Sequence, residues 1–396
     1  MANHDRPFLG ENTDIKENMT VQKIAFYIPS FDGGGAERVM VNLANGMAER
    51  PDIDVDFIVT QKIGPLEGDV SEKVNLVNLN SKRIITSLVP LTTYIRKKQP
   101  DFLVSALNTA NIVSILAKLL SLRKTILLVT VHNTLSMAAS NPKFRRTRLI
   151  PKLMSSLFPI ANGIVTVSKG VAEDLASVTG LNRDSIEVIY NPVITPEVRT
   201  LSQQPCTDAW VNDPTTPTLL GIGRLSPQKD FANLLEAVAI VVKQRPVKLI
   251  ILGEGDLRED LEAQIADLKL TQYVKMPGFV KNPYSYMKNA DLFVLSSQWE
   301  GLPTVLIESL FCNTKLVSTD CPSGPKEILA AGRYGLLVKP KDPTDLARGI
   351  LETLDNNNVL IPDESWERYT LEYSISHYLS YMIDKNSSSK LTAVKG

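Results

Sequence analysis

Two glutamates, Glu300 and Glu308, stand with seven residues between them in the run Glu300-Gly-Leu-Pro-Thr-Val-Leu-Ile-Glu308. Ionised carboxylates only accept hydrogen bonds, so two of them at this spacing can hold a ligand rich in hydroxyls at two places. The residues before them, Asp291 to Ser297, read as a short buried strand that Gly301 breaks. Pro303 suits a first helical position, and Val305, Leu306, Ser309 and Leu310 recur at helical spacing. A helix therefore starts near Pro303, and the unpaired backbone N–H groups from Leu302 through Thr304 to Val305 suit a diphosphate. Glu300 can reach a hexose, and Glu308, about a turn and a half inside the helix, can accept from another pair of hydroxyls. Taken alone, the pair reads as an acid near a helix N-terminus and a solvated helix residue, so the functional reading depends on what else the chain carries.

Other strand tips carry matching chemistry. In Gly221-Ile-Gly-Arg-Leu-Ser-Pro-Gln-Lys229 a strand ends and two cations, Arg224 and Lys229, precede a helix; together they could neutralise a diphosphate. Gly253 in Leu252-Gly-Glu-Gly-Asp256 permits close backbone approach to a ligand, or merely a tight turn. In Pro277-Gly-Phe-Val-Lys281 the backbone of Phe279 and Val280 can pair with a base edge. Near the amino terminus, Asp32-Gly-Gly-Gly-Ala-Glu37 exposes N–H groups, including those of Gly34 and Gly35, to a phosphate. Its glycine spacing is not that of a dinucleotide fingerprint, which disfavours a nicotinamide-dependent dehydrogenase. His132, in Val131-His-Asn133, ends a strongly apolar strand and is the central one of three histidines, available for acid, base or hydrogen-bonding work. Between Asn141 and Lys152, the cations Lys143, Arg145, Arg146, Arg148 and Lys152 interleave with Phe144, Leu149 and Ile150. That pattern suits an anionic membrane surface or a lipid diphosphate, and equally a soluble amphipathic helix.

The elements that must place these residues alternate between short apolar strands and helical segments. Strands are expected at Lys23 to Pro29, Asp54 to Val59, Asp101 to Ser105, Thr125 to Val131, Gly163 to Val167 and Ser185 to Ile189, then at Thr218 to Ile222, Lys248 to Leu252, Val274 to Met276, Leu292 to Ser296, Lys315 to Ser318 and Gly335 to Leu337. Such alternation means parallel sheets wrapped by helices. The chain of 396 residues exceeds one ordinary core, and its apolar rhythm fails in a proline- and threonine-rich stretch. The division is a flexible tail over 1–20, a first domain over 21–195, a linker over 196–217, a second domain over 218–363, a helix over 364–384 returning to the first domain, and a disordered tail over 385–396. Two doubly wound Rossmann-like domains facing across a cleft would bind ligands where their strand carboxyl ends meet.

Lysine plus arginine equal aspartate plus glutamate at 43 each, so no overall field points to nucleic acid. The three cysteines form no metal-binding spacing, and Cys312 on an apolar helix reads as a core residue. The first twenty residues hold no apolar leader, with Met19 a candidate start beside Met1, and no run of about 18 apolar residues occurs. These features predict a cytoplasmic protein, peripheral on the inner face of the cell membrane if the basic segment binds lipid.

In combination the motifs resemble those of family-4 glycosyltransferases of the GT-B architecture, from about Lys23 to Ile350. Gly-Gly-Gly-Ala-Glu-Arg after the first strand, Val-His-Asn at 131–133, Gly-Arg-Leu through Lys229, Gly-Glu-Gly at 253–255 and the Glu300 to Glu308 element occur in the family's order. The resemblance implies that Glu300 contacts the donor sugar, Glu308 the ribose, and Arg224 and Lys229 the leaving diphosphate, with His132 near the reacting sugar. Gly34 and Gly35 would close on the phosphates or admit the acceptor. It also implies retention at the anomeric carbon, no metal or other cofactor, a nucleotide-sugar donor and a glycan acceptor. The stretch Thr319-Asp-Cys-Pro-Ser-Gly-Pro-Lys-Glu327 is similar to bacterial members that build surface or lipid-linked glycans, often from galactose or N-acetylgalactosamine donors. A sugar-nucleotide epimerase or hydrolase, or a non-catalytic binding subunit, are the competing expectations.

Overall fold

The computed structural model describes residues 22–136, 149–356 and 361–394. The first domain is built on β1 (Gln22–Ile28), β2 (Ile53–Val59), β3 (Asn75–Asn78), β4 (Phe102–Ala106), β5 (Ile126–Val131), β6 (Gly163–Thr166) and β7 (Ile186–Val188). They form one parallel sheet in the order β3-β2-β1-β4-β5-β6-β7. The second domain is built on β8 (Thr218–Ile222), β9 (Lys248–Leu252), β10 (Val274–Gly278), β11 (Leu292–Leu295), β12 (Leu316–Thr319) and β13 (Leu336–Val338), parallel in the order β10-β9-β8-β11-β12-β13. Every residue of β4 and β5 is buried, as helices on both faces of a parallel sheet require.

Strand order reverses direction between β1 and β4 in one sheet and between β8 and β11 in the other. The loops leaving a reversal splay apart and open a crevice at the strand carboxyl ends. The glycine run at 33–35 leaves β1, Arg224 and Lys229 follow β8, and Glu300 follows β11, so both crevices carry the residues singled out above.

Three departures from the sequence reading have local causes. The short strand β3 was not expected, because only Leu76 and Val77 mark it and all four of its residues keep some exposure. The expected linker opens with a helix, Pro196–Ser202, capped by Thr195, whose hydroxyl accepts from the Val198 N–H at 3.3 Å, with Pro196 at the first position. Of the expected disordered tail over 385–396, residues 385–394 are helical, since the helix Leu371–Val394 runs on through them with no proline or glycine to stop it.

That last helix returns to the first domain. Ile375, Tyr378 and Met382 are buried in the same apolar cluster as Met40, Leu43 and Met47 of the helix Gly35–Ala48. Beside it the chain crosses between domains twice. The N–H groups of Val193 and Ile194 donate to the Tyr369 carbonyl at 2.9 Å, and the Leu371 N–H donates to the Ile194 carbonyl at 3.1 Å.

Candidate active site between the two sheets

The centre of the site is the tip of β11. Glu300 is buried, and its Oε1 accepts from the Lys229 ammonium at 2.7 Å and the Ser297 hydroxyl at 2.6 Å, while Oε2 accepts from the Gln228 amide at 3.2 Å. A carboxylate has about four lone-pair positions, so Oε2 keeps one for a ligand. The loop after β8 is fixed to it, because the Ser296 hydroxyl donates to the Lys229 carbonyl at 2.8 Å and the Gln298 N–H to the Gln228 carbonyl at 2.8 Å. Lys229 therefore has a definite partner, and its charge reaches the site through the Glu300 ion pair. Replacing either partner would leave a buried charge uncompensated.

The helix after this loop is Thr304–Phe311, with Pro303 as its extended N-cap. Leu302 and Pro303 are buried, and Thr304 and Val305 of the first turn are half-buried. Glu308 lies one turn further on, half-buried, with the Tyr284 hydroxyl donating to its Oε1 at 3.4 Å. Burial pushes its carboxyl up to about 7, opposed by that hydroxyl and by the charges of Lys229 and Arg38. Arg38 belongs to the first domain, so the electrostatic surroundings of Glu308 are built from both sides of the cleft.

Arg224 is exposed, and among the described residues no hydrogen bond or ion pair engages it. It lines a cavity of about 380 Å³ together with Gly223, Gly253, Phe279 and Val280. Gly253 has φ of +136°, and a Cβ there would sit 2.0 Å from the Gly223 carbonyl oxygen, so only glycine lets the tips of β8 and β9 meet. Glu254 also lines the cavity, with both of its oxygens taken by the Arg258 guanidinium at 2.8 Å. Phe279 is 79 % exposed, an aromatic face at the rim of this cavity.

From the first domain, His132 reaches the same place. A Cβ on Gly301 would lie 3.0 Å from the His132 carbonyl oxygen, so the tips of β5 and β11 touch. Burial lowers the His132 imidazole to about 4, which keeps the ring neutral at physiological pH. Gly34 is the extended N-cap of the helix Gly35–Ala48, which starts the chain's first βα unit at the crevice. A Cβ on Gly34 would meet the Glu37 carboxylate at 2.4 Å, whereas one on Gly35 would meet nothing within 4 Å.

Several residues of the site escaped the sequence reading. Ser297 and Gln228 are sequence neighbours of Glu300 and Lys229 and were within reach of it. Tyr284 arrives from another element, which spacing alone does not show, and Arg38, the last residue of the glycine-rich motif, was given no role beside Glu308. Glu327, read in the sequence as part of a turn, spans the domains: its two carboxylate oxygens accept from the Lys169 N–H at 3.1 and 3.0 Å, and Oε1 accepts from the Tyr190 hydroxyl at 2.6 Å. Of the basic segment, Lys143, Arg145, Arg146 and Arg148 lie outside the described residues. Lys152 is exposed on the helix Ile150–Leu157, next to exposed Leu149 and Leu153.

Comparison with known proteins agrees with this geometry. Residues 33–196 match the model of Glycosyltransferase Family 4, and residues 207–371 match that of Glycosyl transferases group 1. The chain is 29% identical, over 86% of its length and 92% of the relative's, to the N-acetylgalactosamine-N,N'-diacetylbacillosaminyl-diphospho-undecaprenol 4-alpha-N-acetylgalactosaminyltransferase of Campylobacter jejuni. A second enzyme of that organism, the GalNAc-alpha-(1->4)-GalNAc-alpha-(1->3)-diNAcBac-PP-undecaprenol alpha-1,4-N-acetyl-D-galactosaminyltransferase, is 28% identical over 85% of this chain and 90% of its own. In fold the protein is similar to Anabaena Alr3699/HepE, solved in complex with UDP, with a TM-score of 0.74 at 20% identity over 92% of this chain and 100% of that one. With two parallel α/β domains set tip to tip, and both halves matched, the chain belongs to the family-4 glycosyltransferases of GT-B architecture and is a hexosyltransferase.

Proposed function

We propose that the protein transfers a hexose or N-acetylhexosamine from a UDP-sugar, with retention, to a hydroxyl of a growing polyprenyl-diphosphate-linked glycan in surface-polysaccharide or related glycan biosynthesis. The observation that carries this reading is the buried Glu300, locked by Lys229, Ser297 and Gln228 at the tip of β11 with one acceptor position left. Fixed so, it is a clamp for donor-sugar hydroxyls, not a mobile nucleophile. The cavity beside Arg224, Gly253, Phe279 and Val280 suits the base and diphosphate, with Glu308 one turn into the helix for the ribose. In the reaction the bond from the anomeric carbon to the diphosphate oxygen breaks and a bond to the acceptor oxygen forms on the same face. The hydroxyl proton passes to the departing diphosphate. Arg224, the remaining N–H donors of Lys229 and the N-terminus of the helix Thr304–Phe311 counter the developing charge, and no metal is required for that role.

The lipid-linked acceptor is supported by the two Campylobacter relatives, whose names specify undecaprenol-linked diphosphate substrates. It is also supported by exposed Leu149 and Leu153 beside Lys152, and by exposed Leu119, Leu120 and Leu122 beside Arg123. Among the described residues no helix is long and apolar enough to cross a membrane, so the attachment we propose is peripheral, on the cytoplasmic face. The test is incubation with a panel of radiolabelled nucleotide sugars and membrane lipid extract. Label should enter the lipid fraction only from UDP-hexoses or UDP-N-acetylhexosamines and only when lipid is added. Transfer to a soluble acceptor alone removes the lipid part of the proposal, and sugar-nucleotide turnover without any acceptor means an epimerase or hydrolase.

A further inference from the structure

We propose that Thr130 is a positioning residue that holds His132 in the Nε2–H tautomer, so that Nδ1 is offered as a hydrogen-bond acceptor to a hydroxyl of the bound sugar. Thr130 is fully buried on β5, and its Oγ1 lies 2.9 Å from the Ser105 carbonyl oxygen and 2.9 Å from His132 Nε2. A hydroxyl has one proton, and a carbonyl oxygen can only accept. That proton therefore belongs to the Ser105 carbonyl, and the contact with His132 requires Nε2 to donate. The opposite assignment would set two lone-pair oxygens against each other at 2.9 Å and bury an Nδ1–H with nothing to bond.

The consequence falls on Nδ1. It is buried, and among the described residues nothing bonds it. A neutral ring, favoured by its burial, carries a single N–H, so Nδ1 keeps its lone pair. The Thr130 backbone is fixed as well, since the Asn111 amide donates to its carbonyl at 2.8 Å, and Ser114 holds the Ser105 hydroxyl at 2.9 Å. An unpaired buried acceptor is costly, and a ligand that brings a donor recovers that cost. A diphosphate offers no donor at neutral pH, whereas a hexose offers several. The arrangement thus prefers a sugar hydroxyl over a phosphate oxygen at this position. That Nε2 is the donor stands on geometry alone; that the group facing Nδ1 belongs to a hexose rests on the proposed function.

The experiment uses the full chain labelled with 15N-histidine, in which three imidazoles are to be resolved. The His132 signals are identified by their loss in His132→Gln. Long-range 1H–15N spectra near neutral pH should show His132 protonated at Nε2 and bare at Nδ1. Thr130→Val, which keeps the shape and removes the hydroxyl, should give a mixture of tautomers, and Thr130→Ser should restore the single one. Transfer activity should fall about tenfold in kcat/KM for Thr130→Val and recover to within about twofold in Thr130→Ser. An Nδ1–H in the wild-type protein, or an unchanged Nε2–H tautomer in Thr130→Val, overturns the assignment. Adding UDP-N-acetylgalactosamine or UDP-glucose should shift Nδ1 where UDP alone does not. If a sugar nucleotide binds by calorimetry and Nδ1 does not move, the hydroxyl contact is wrong. If none binds, the proposed function fails, and the spectrum still decides the tautomer.

Discussion

At the scale of the residue, the carboxyl of Glu308 sets the pH behaviour of the site. Burial raises it from the ordinary 4.5 to about 7, so between those values the folded protein holds a proton that the unfolded chain has released. The stability this group contributes is thus present below 4.5 and lost as pH rises through about 7. With Glu308 holding the ribose as proposed, ligand binding runs the other way, because only the ionised carboxylate can accept from both hydroxyls. Calorimetric titration with UDP should show affinity falling by up to about tenfold per pH unit below 7, and Glu308→Gln should flatten that slope. A wild-type affinity that does not change between about pH 6 and 8 would separate Glu308 from the ribose. The two glutamates, the cations after β8 and His132 were all legible as residue types at strand ends. Their contacts were not: Tyr284 and Arg38 reach Glu308 only through the crossing of separate elements, and the bond from Thr130 to His132, two residues along one strand, shows only once the hydroxyl's other partner, the Ser105 carbonyl, is in place.

At the scale of the element, the parallel strands were the most legible part, since both of their faces are buried and they read as short apolar runs. Strand β3, the helix Pro196–Ser202 and the end of the last helix were not legible, because each is held by context or by caps and not by a strong apolar period. The tips matter more to the site than the strands. The Gly253 N–H donates to the Gly278 carbonyl at 2.9 Å and the Gly223 N–H to the Leu252 carbonyl at 3.0 Å, which ties β8, β9 and β10 together under the cavity. Gly253→Ala has to break this, given a Cβ 2.0 Å from Gly223 and a φ of +136°. We expect a loss of at least about 1–3 kcal/mol and a melting temperature lowered by several degrees, with weaker UDP binding by calorimetry. Gly35→Ala, with open space around its Cβ and a helical position, should leave the melting temperature unchanged or slightly raised. If both variants melt alike, the close approach at Gly253 is not what holds the tips.

At the scale of the whole molecule, a few polar contacts cross the cleft between the two domains in addition to the apolar cluster they share. Glu327 caps the helix Lys169–Thr179 from the opposite domain, and the Ser168 hydroxyl donates to the Gly301 carbonyl at 3.2 Å, next to Glu300. Closure of the cleft and the setting of Glu300 are therefore linked through one helix N-terminus. Glu327→Ala should raise the radius of gyration in small-angle scattering and raise the KM for the nucleotide sugar about five- to tenfold, with a smaller change in kcat. A scattering curve identical to wild type would show that this carboxylate does not hold the domains together. None of this pairing was legible in the sequence, where Glu327 and Lys169 are separated by most of a domain.

The two chain crossings described above are bonded to each other, Val193 and Ile194 to Tyr369 and Leu371 to Ile194, and they carry one apolar cluster with Ile194 and Tyr369 fully buried. Two separate tethers would permit sliding and twisting as well as opening. Fused into one band, they act as one joint, and a rotation about it would move the cleft mouth most. A small angle there becomes a large displacement at the cleft mouth and almost none at the band, so a substrate can be admitted without disturbing the joint that returns Gly301 to His132.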